Sequence, residues 1–417
     1  MTQGARDSQG GTAERLVAAG VELARDQGLP ALTARALAER AAASPSALNY
    51  HLGGREALLA RVLEHARAAA QDWRIEKLAG LADEVGAPGW VSPAGTLAAL
   101  IGDRVTAFRA WSLLLAEFEA AAEAEALEPP LAAQLAEETA ATEAFWRTAA
   151  QAVGIGAEHA AIWADLAIGL TQLLLSDEPL AVKAPWIFDS ANRLHARLQG
   201  HAPHILAARR LSAAERLSGE APPGKSARRL LDAALQIIAE KGPERLTQRE
   251  VAAAAGLSLA ATTYFFRTKA DLVSAAFHEL HRQVSAQALA ASGPAQGLLG
   301  STLEDSGERA TWRVRAMEAL QLASARDAAL APISRQLRAT RGATSIVWLR
   351  SEGLEVDGLD AFIFSTAMSG VVQRTRFAPP GRRREEMAES HRRLLRSVFG
   401  WPAQTEQARA FDSLKSS

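Results

Sequence analysis

The chain has 417 residues, 48% of them hydrophobic, and its 46 Lys and Arg nearly balance 47 Asp and Glu, for a formal net charge of −1. That length calls for two to four domains of ordinary size, ~100–200 residues each, and the charge balance excludes a polycation, so any binding of nucleic acid must rest on local placement of charge. The lack of cysteine excludes disulfides, thiolate metal sites and a Cys nucleophile, and no apolar run approaches the ~20 residues of a membrane span.

Ala, Leu, Arg and Glu dominate and β-branched residues are sparse, which favours helices throughout. Residues 1–11 are polar and Gly-rich, lack an apolar signal core, and are expected to be disordered. From residue 12, Leu16, Ala19, Leu23 and Ala24 share one helical face, and Gly28 sits where a positive-φ residue would end that helix. Thr33 then reads as the N-cap of a short second helix. Ser44-Pro45 reads as an N-cap followed by proline at the first helical position, opening a third helix over Ser44–His51. Gly53-Gly54 breaks it, and a long fourth helix starts near Arg55. Two short helices around a tight turn, buttressed on both sides, form a helix-turn-helix over about 32–51, within a domain spanning 12–66. Residues 67–203 continue as a helical domain, with a loop at "EVGAPGWVSP", Glu84–Pro93.

The pattern then recurs. Shifted by 214 positions, residues 12–66 lie on 226–280 without a gap. Ala13, Arg15, Leu16 and Ala19 meet Ala227, Arg229, Leu230 and Ala233. Gly28, Leu32, Thr33 and Arg35 meet Gly242, Leu246, Thr247 and Arg249, and Ser44, Ala47, Tyr50 and Leu58 meet Ser258, Ala261, Tyr264 and Leu272. Matches at caps, breaks and core positions are what a shared fold demands. The second helix-turn-helix spans about 246–265. Thr247-x-x-Glu250 reads as a full capping box, Ser258 repeats the cap of the third helix, and Thr268-x-x-Asp271 caps the fourth. Between the copies, residues 204–225 are expected to hold one further helix, His204–Leu217, and an exposed Pro/Gly-rich linker that continues toward Arg229. The second helical domain covers 281–400, and 401–417 is a tail. Trp111 and Trp312, then Trp146 and Trp348, extend the repeat at a shift of 201–202, which places an insertion in the first copy, assigned to Glu84–Pro93.

The second helix of such a pair enters the DNA major groove by its N-terminal part, and small polar residues there let the backbone approach the bases. Ser44, Ser46, Asn49 and Tyr50 suit that surface, as do Ser258, Thr262, Thr263 and Tyr264. Arg55 and Lys269 open their helices, where the helix dipole disfavours a cation. An anionic partner removes the conflict, and a solvated charge is the alternative. "SPSALNYHLGGREALL" and "SLAATTYFFRTKADLV" together resemble the signature of the tetracycline-repressor (TetR) family of transcription regulators. Leu52, where an aromatic is common, and Arg267, in place of a small turn residue, depart from it.

The resemblance implies an all-α fold of two tandem TetR-like units. Each has a three-helix helix-turn-helix headpiece and a helical ligand-binding and dimerisation domain. It implies DNA contacts from Thr33, Ser44, Tyr50, His51, Arg55, Thr247, Ser258, Tyr264 and Lys269. Pro45, Ser46, Asn49, Gln248, Ala260, Thr262 and Thr263 join them as candidates on the same elements. The partner would be a double-stranded operator, read as an imperfect palindrome by two unlike helices, and a small apolar effector would release it. Candidate pocket residues are Phe108, Trp111, Phe118, Trp146, Trp163 and Gln172 in the first unit, and Trp312, Met317, Gln321, Trp348 and Gln373 in the second. The closing helices, Ala184–Gly200 and Arg384–Gly400, with the preceding helices about Glu158–Ser176 and Leu359–Val372, would form the family's four-helix interface inside one chain, as an internal pseudo-dimer of a monomeric polypeptide. No cofactor, metal or membrane partner is expected, and the location implied is the bacterial cytoplasm, at the nucleoid.

Two other readings stand beside it. A catalytic one finds neither a Gly-rich phosphate loop nor His-Glu-x-x-His. His195, His201 and His204 straddle Gly200 and Pro203 at a helix end, which fits a solvated terminus better than a metal site. "PPGRRREE", Pro379–Glu386, fits an exposed helix start. The second alternative is a ligand-sensing or scaffolding protein in which one headpiece no longer binds DNA. Charge would then single out the first copy, with six acids and six bases over 12–66 against six acids and eight bases over 225–280. The Ser-Pro pair and Tyr50-His51 argue the other way.

Overall fold

Helix stops position everything else in the computed structural model, which describes residues 3–85, 92–124, 127–201, 224–290 and 307–401. Among these residues there is helix and no strand. The chain gathers into two compact units, one from Met1–Trp90 with Asp103–Phe145, the other from Val91–Gly102 with Trp146–Ser417.

The first unit opens with α1 (Gln3–Gln27), α2 (Ala34–Arg40), α3 (Ala47–Leu52) and α4 (Arg55–Glu84). The polar N-terminal segment is therefore helical from Gln3 onward, where disorder was expected over 1–11. No proline interrupts it, and extending a helix that is already nucleated is far easier than starting one. Helix α1 stops at Gly28, whose φ of 87° and ψ of 173° favour a residue without Cβ. Leu16, Leu23, Leu37, Leu58 and Leu63 fill the core of the three-helix headpiece and the start of α4. After α5 (Pro93–Arg104), helices α6 (Arg109–Glu123) and α7 (Pro129–Ala152) add to this unit as far as Phe145. A buried Arg74–Glu138 pair ties α4 to α7, and Trp73 Nε1 donates to Asp103 Oδ2 at 2.6 Å.

The second unit joins the end of the first copy to the whole of the second. From the first copy it takes α8 (Ala157–Leu173) and α9 (Leu180–Leu198). The second headpiece follows as α10 (Lys225–Lys241), α11 (Gln248–Ala254) and α12 (Leu259–Phe265), with α13 (Lys269–Ala290) behind it. Then come α14 (Gly307–Arg326), α15 (Ala331–Thr340), α16 (Ala343–Ser351), α17 (Gly358–Arg374) and α18 (Pro380–Phe399). The basic cluster Pro379–Glu386 is the exposed first turn of α18 and its N-cap, with Arg382 paired to Glu386 at 2.7 Å.

Helices α8 and α17 pack against each other more extensively than any other pair, and α9 and α18 flank them. Their contact is closest at two glycines. A Cβ on Gly169 would lie 2.0 Å from the Thr366 carbonyl oxygen, and one on Gly370 would lie 1.8 Å from the Asp165 carbonyl oxygen. Only a hydrogen fits in either place. Of the remaining sequence expectations, the loop residues 86–91, the helix His204–Leu217, the linker up to residue 223 and the tail from 402 lie outside the described residues.

Two stability predictions follow from this packing. Gly169→Ala and Gly370→Ala should each cost about 2–4 kcal/mol by forcing the backbones apart. Gly80→Ala, in the exposed interior of α4 with open space around it, should gain up to about 1 kcal/mol. Urea melts of the three variants check both signs. In α13, burial, with His278 nearby, lowers the His281 imidazole from 6.5 to about 4. The unfolded chain protonates this group near pH 6.5 and the folded chain only near 4. Stability present above pH 6.5 is therefore lost as the pH falls, by about 2 kcal/mol between pH 7 and 5. His281→Gln should flatten that slope in melts across the range.

Candidate nucleic-acid interface

Each headpiece caps its first helix-turn-helix helix in the same way. Ala36 N–H donates to Thr33 Oγ1 at 3.2 Å, and Glu250 N–H donates to Thr247 Oγ1 at 3.2 Å. The Thr247 half of the expected capping box is thus formed, while the Glu250 carboxylate turns to Lys241 Nζ, a partner across the helix turn that offers it a full charge. Exposed arginines follow each cap at equivalent positions, Arg35 and Arg249, and neither enters an ion pair among the described residues. Sequence reasoning aligned these two arginines without assigning them to the site. The signal available was a basic residue repeated in the first turn of a Thr-capped helix.

The second helices differ. In the second copy Ser258 is the N-cap, its Oγ accepting from Ala261 N–H at 3.1 Å. In the first copy Ser44 does not cap. Its Oγ lies 3.0 Å from Ser46 Oγ, Ser44–Ser46 form a turn, and the helix starts only at Ala47. Pro45 holds that turn, and its missing N–H leaves one donor fewer to cap. Gly53, at φ 79°, ends α3. Thr268 and Asp271 cap α13 reciprocally, at 2.9 and 3.0 Å, as expected from the sequence.

Ser44, Pro45, Ser46, Asn49, Thr33 and Arg55 are exposed, and His51 is half-buried against Tyr50, edge-on at 4.9 Å. Tyr50 is 73% and Tyr264 82% exposed, unusual for large aromatic side chains. Thr247, Ser258, Ala260, Thr263 and Lys269 are exposed as well. One assignment needs correction. Thr262 is fully buried, on the α12 face that turns inward, so it cannot line the reading surface. Gln248 is half-buried and donates from Nε2 to the Phe266 carbonyl at 2.8 Å, tying α11 to the end of α12. Lys269 Nζ donates to the Glu244 carbonyl at 2.6 Å, which holds the start of α13 against the turn between α10 and α11.

The pocket candidates divide between the two units. Phe108, Trp111 and Phe118 belong to the first unit, where Phe108 and Trp73 enclose Arg104 at 4.6 and 4.8 Å. Burial lowers Arg104 to about 10, and its Nη1 has no hydrogen-bond partner. Phe118 is plain core. Trp146, Trp163 and Gln172 fall instead in the second unit, with Trp312, Met317, Gln321, Trp348 and Gln373. There Trp146 and Trp163 are core, Gln373 is buried, Trp312 and Met317 are half-buried, and Trp348 stacks beside Phe364 and His391. Gln172 and Gln321 do meet. Gln172 donates to Glu318 at 3.1 Å, Gln321 donates to the Gln172 carbonyl at 2.7 Å, and Arg376 closes on Glu318 at 2.8 Å. A cleft of about 460 Å³ lies elsewhere, among Pro243, Glu244, Lys269 and Arg326, and none of the candidates lines it except Lys269 from the DNA set. Among the described residues no group of three or more His, Asp or Glu is placed to hold a metal ion.

One further contact joins headpiece to α6. In the first unit, Leu29 N–H, just after Gly28, donates to Glu117 Oε2 on α6 at 2.9 Å. The second copy has Pro243 at the place of Leu29, with no N–H to give. Its counterpart of Glu117, Glu318, is the residue held by Arg376 and Gln172.

Two exposed helix-turn-helix units, each Thr-capped and each backed by longer helices, define a tandem helix-turn-helix protein. The sequence model for "Bacterial regulatory proteins, tetR family" matches residues 16–62 and 230–276, one headpiece each. Both headpieces are thus of the tetR type. Among solved structures, the crystal structure of the multidrug binding protein EbrR complexed with imidazole is similar at 25% identity over 47% of this chain and 96% of that one, with a TM-score of 0.31. None of the curated proteins matches the chain.

Replacing Glu117 by Ala should expose the Leu29 amide. Its hydrogen exchange should speed up by about tenfold or more, while the amides of α2 keep their protection. Exchange followed by NMR or mass spectrometry reads both.

Proposed function

We propose that this chain is a transcription regulator that reads an imperfect palindrome, one half-site with α3 and the other with α12, and that a small apolar effector releases it as a repressor. The observation that carries the reading is the pair of exposed, unlike segments, Ser44–Leu52 and Ser258–Phe265, each with a solvent-facing tyrosine in the last turn of its helix. Small polar side chains there admit close approach to base edges, while tyrosine hydroxyls and capped helix starts suit phosphates. Arg35, Arg55, Arg249 and Lys269 supply the local positive charge that a chain of net charge −1 requires. The two copies pair within one polypeptide, and the packing of α8 and α9 on α17 and α18 supports this. A monomeric chain then carries both readers. The Leu29–Glu117 link supports coupling of the first regulatory domain to its headpiece, and the aromatic surroundings of Arg104 support an effector with an apolar body. Such a protein works in the cytoplasm at the nucleoid.

Selection of bound fragments from random DNA should return a two-part site whose halves differ. Exchanging residues 44–50 for 258–264 should shift preference in one half only. Arg249→Ala should lower the slope of log affinity against log salt by about one, and Thr262→Val should leave that slope unchanged. A site with one recognised half would instead favour the reading in which one headpiece has lost DNA binding, and an unchanged slope for Arg249→Ala would remove that residue from the phosphate contacts.

A further inference from the structure

We infer that the seam joining α8 and α9 to α17 and α18 is built for unlike halves. It accepts the second copy as partner of the first and rejects another first copy. The inference rests on the reading that the two copies pair with each other.

The backbone of the seam is reciprocal. Helices α8 and α17 correspond at a shift of 201, with Ala160 and Ala361, Ile162 and Ile363, Gly169 and Gly370, and Gln172 and Gln373 identical. Gly169 abuts Thr366, and Gly370 abuts Asp165. The shift that relates the two glycines also relates Asp165 to Thr366, so each helix presents the same site to the other. This is the pattern of a twofold contact, in which residue i meets j and j meets i.

The charges break that symmetry. Arg374 Nε donates to Asp165 Oδ1 at 2.7 Å, both side chains buried. The reciprocal positions are Leu173 and Thr366, and the Thr366 hydroxyl is buried with no hydrogen-bond partner. At one end of the seam Arg193 grips Asp357 with two bonds of 3.0 Å and lies 3.1 Å from Asp360. Arg197 adds bonds of 3.1 and 2.6 Å to Asp360. At the other end the places of Asp357 and Asp360 are taken by Gly156 and His159, while α9 and α18 correspond at a shift of 200, which sets Ser397 at the place of Arg197 and Arg393 at that of Arg193. Ser397 reaches Glu158 at 3.4 Å, one neutral hydroxyl where the first end has a guanidinium.

Like pairing would therefore strand buried charge. Two first halves would set Asp165 against Leu173 and Arg193 against Gly156 and His159, twice over. Two second halves would set Arg374 against Thr366 but leave it Glu386 of its own half, with Arg393 at the place of Arg193; the two like pairs can only form together, so the cost falls on the pair of first halves. A buried ion that loses its partner is strongly destabilising, whereas the unlike pair matches every one of these charges once. The seam thus selects its partner by charge while its glycines would permit either.

The test uses the whole chain, with a protease site placed in the segment 202–223 and cut after folding. Cut protein with and without heavy-isotope label is mixed and held in mild urea until label has exchanged between particles, then read by native mass spectrometry. Only one-to-one unlike pairs should appear, with like pairs disfavoured at least ~100-fold. Like and unlike pairs in a 1:2:1 distribution would overturn the inference and leave the pairing of copies standing. Separation into single halves would overturn both. In the intact chain, Asp165→Thr with Arg374→Leu makes the central site reciprocal. After cutting, like pairs of that variant should rise at least ~tenfold above the parent, and no rise would count against the charge mechanism.

Discussion

The closeness of α8 and α17 depends on two hydrogens. At Gly169 and Gly370 the backbones approach to a distance that no other residue tolerates. Glycine costs helix propensity, about 1 kcal/mol relative to alanine, yet it stands near the C-terminal end of each helix at matching positions. That loss is offset by contact along the two helices, whose buried faces include Ile162, Trp163, Leu166, Phe362, Ile363 and Val371. Close approach also removes water from the flanking side chains. Arg193, Asp357, Asp360, Arg374 and Asp165 are all nearly inaccessible, so their attractions are far less screened than those of surface pairs such as Arg61–Glu64. The glycines set the distance, and the distance makes the charges count.

Much of the fold was legible because helix punctuation is local chemistry. A threonine followed by a short amphipathic run, a glycine at a stop and Thr-x-x-Asp before a long helix act within four residues of themselves, and the sequence holds everything they need. Thr33, Thr247, Gly28, Gly242, Ser258 and Thr268 all fall where that chemistry predicts. Misreadings arose where a side chain had a choice of partners. Glu250 could close a capping box or take Lys241, and the charged partner won. Ser44 could cap or turn toward Ser46, and the proline between them favoured the turn. Thr262 and Thr263 are neighbours on a seven-residue helix of about two turns. Which of them faces inward depends on the rotation of α12 against α10 and α11, which no residue in the heptapeptide encodes.

The seam was legible only in outline. Apolar spacing marked its four helices, but a glycine within an apolar helix reads as a weak helix former until it is laid on its mate 201 residues away. The ion pairs were less visible still, since they join residues separated by 163 to 209 positions. The pocket candidates span comparable distances along the chain. Aromatic residues chosen for their type scattered between two compact units, because a tryptophan is as well suited to filling a core as to lining a cavity.

A repeat fused into one chain relaxes a constraint that identical subunits obey. In a homodimer every substitution at the interface occurs twice, so a carboxylate at one position must be tolerated by its own copy across the axis. Here Asp165 and Thr366 hold equivalent places and differ freely, and so do Leu29 and Pro243 at the junction between headpiece and regulatory domain. The second difference reaches further. Leu29 gives the first headpiece a hydrogen bond to α6, while proline denies it to the second and Glu318 is drawn instead toward Gln172 of the first copy. One headpiece is thus tied to α6 of its own copy, and in the other copy the corresponding carboxylate joins the network where the two copies meet. A change around Glu318 is therefore felt by both halves of the seam, whereas a change around Glu117 is felt first by a single headpiece.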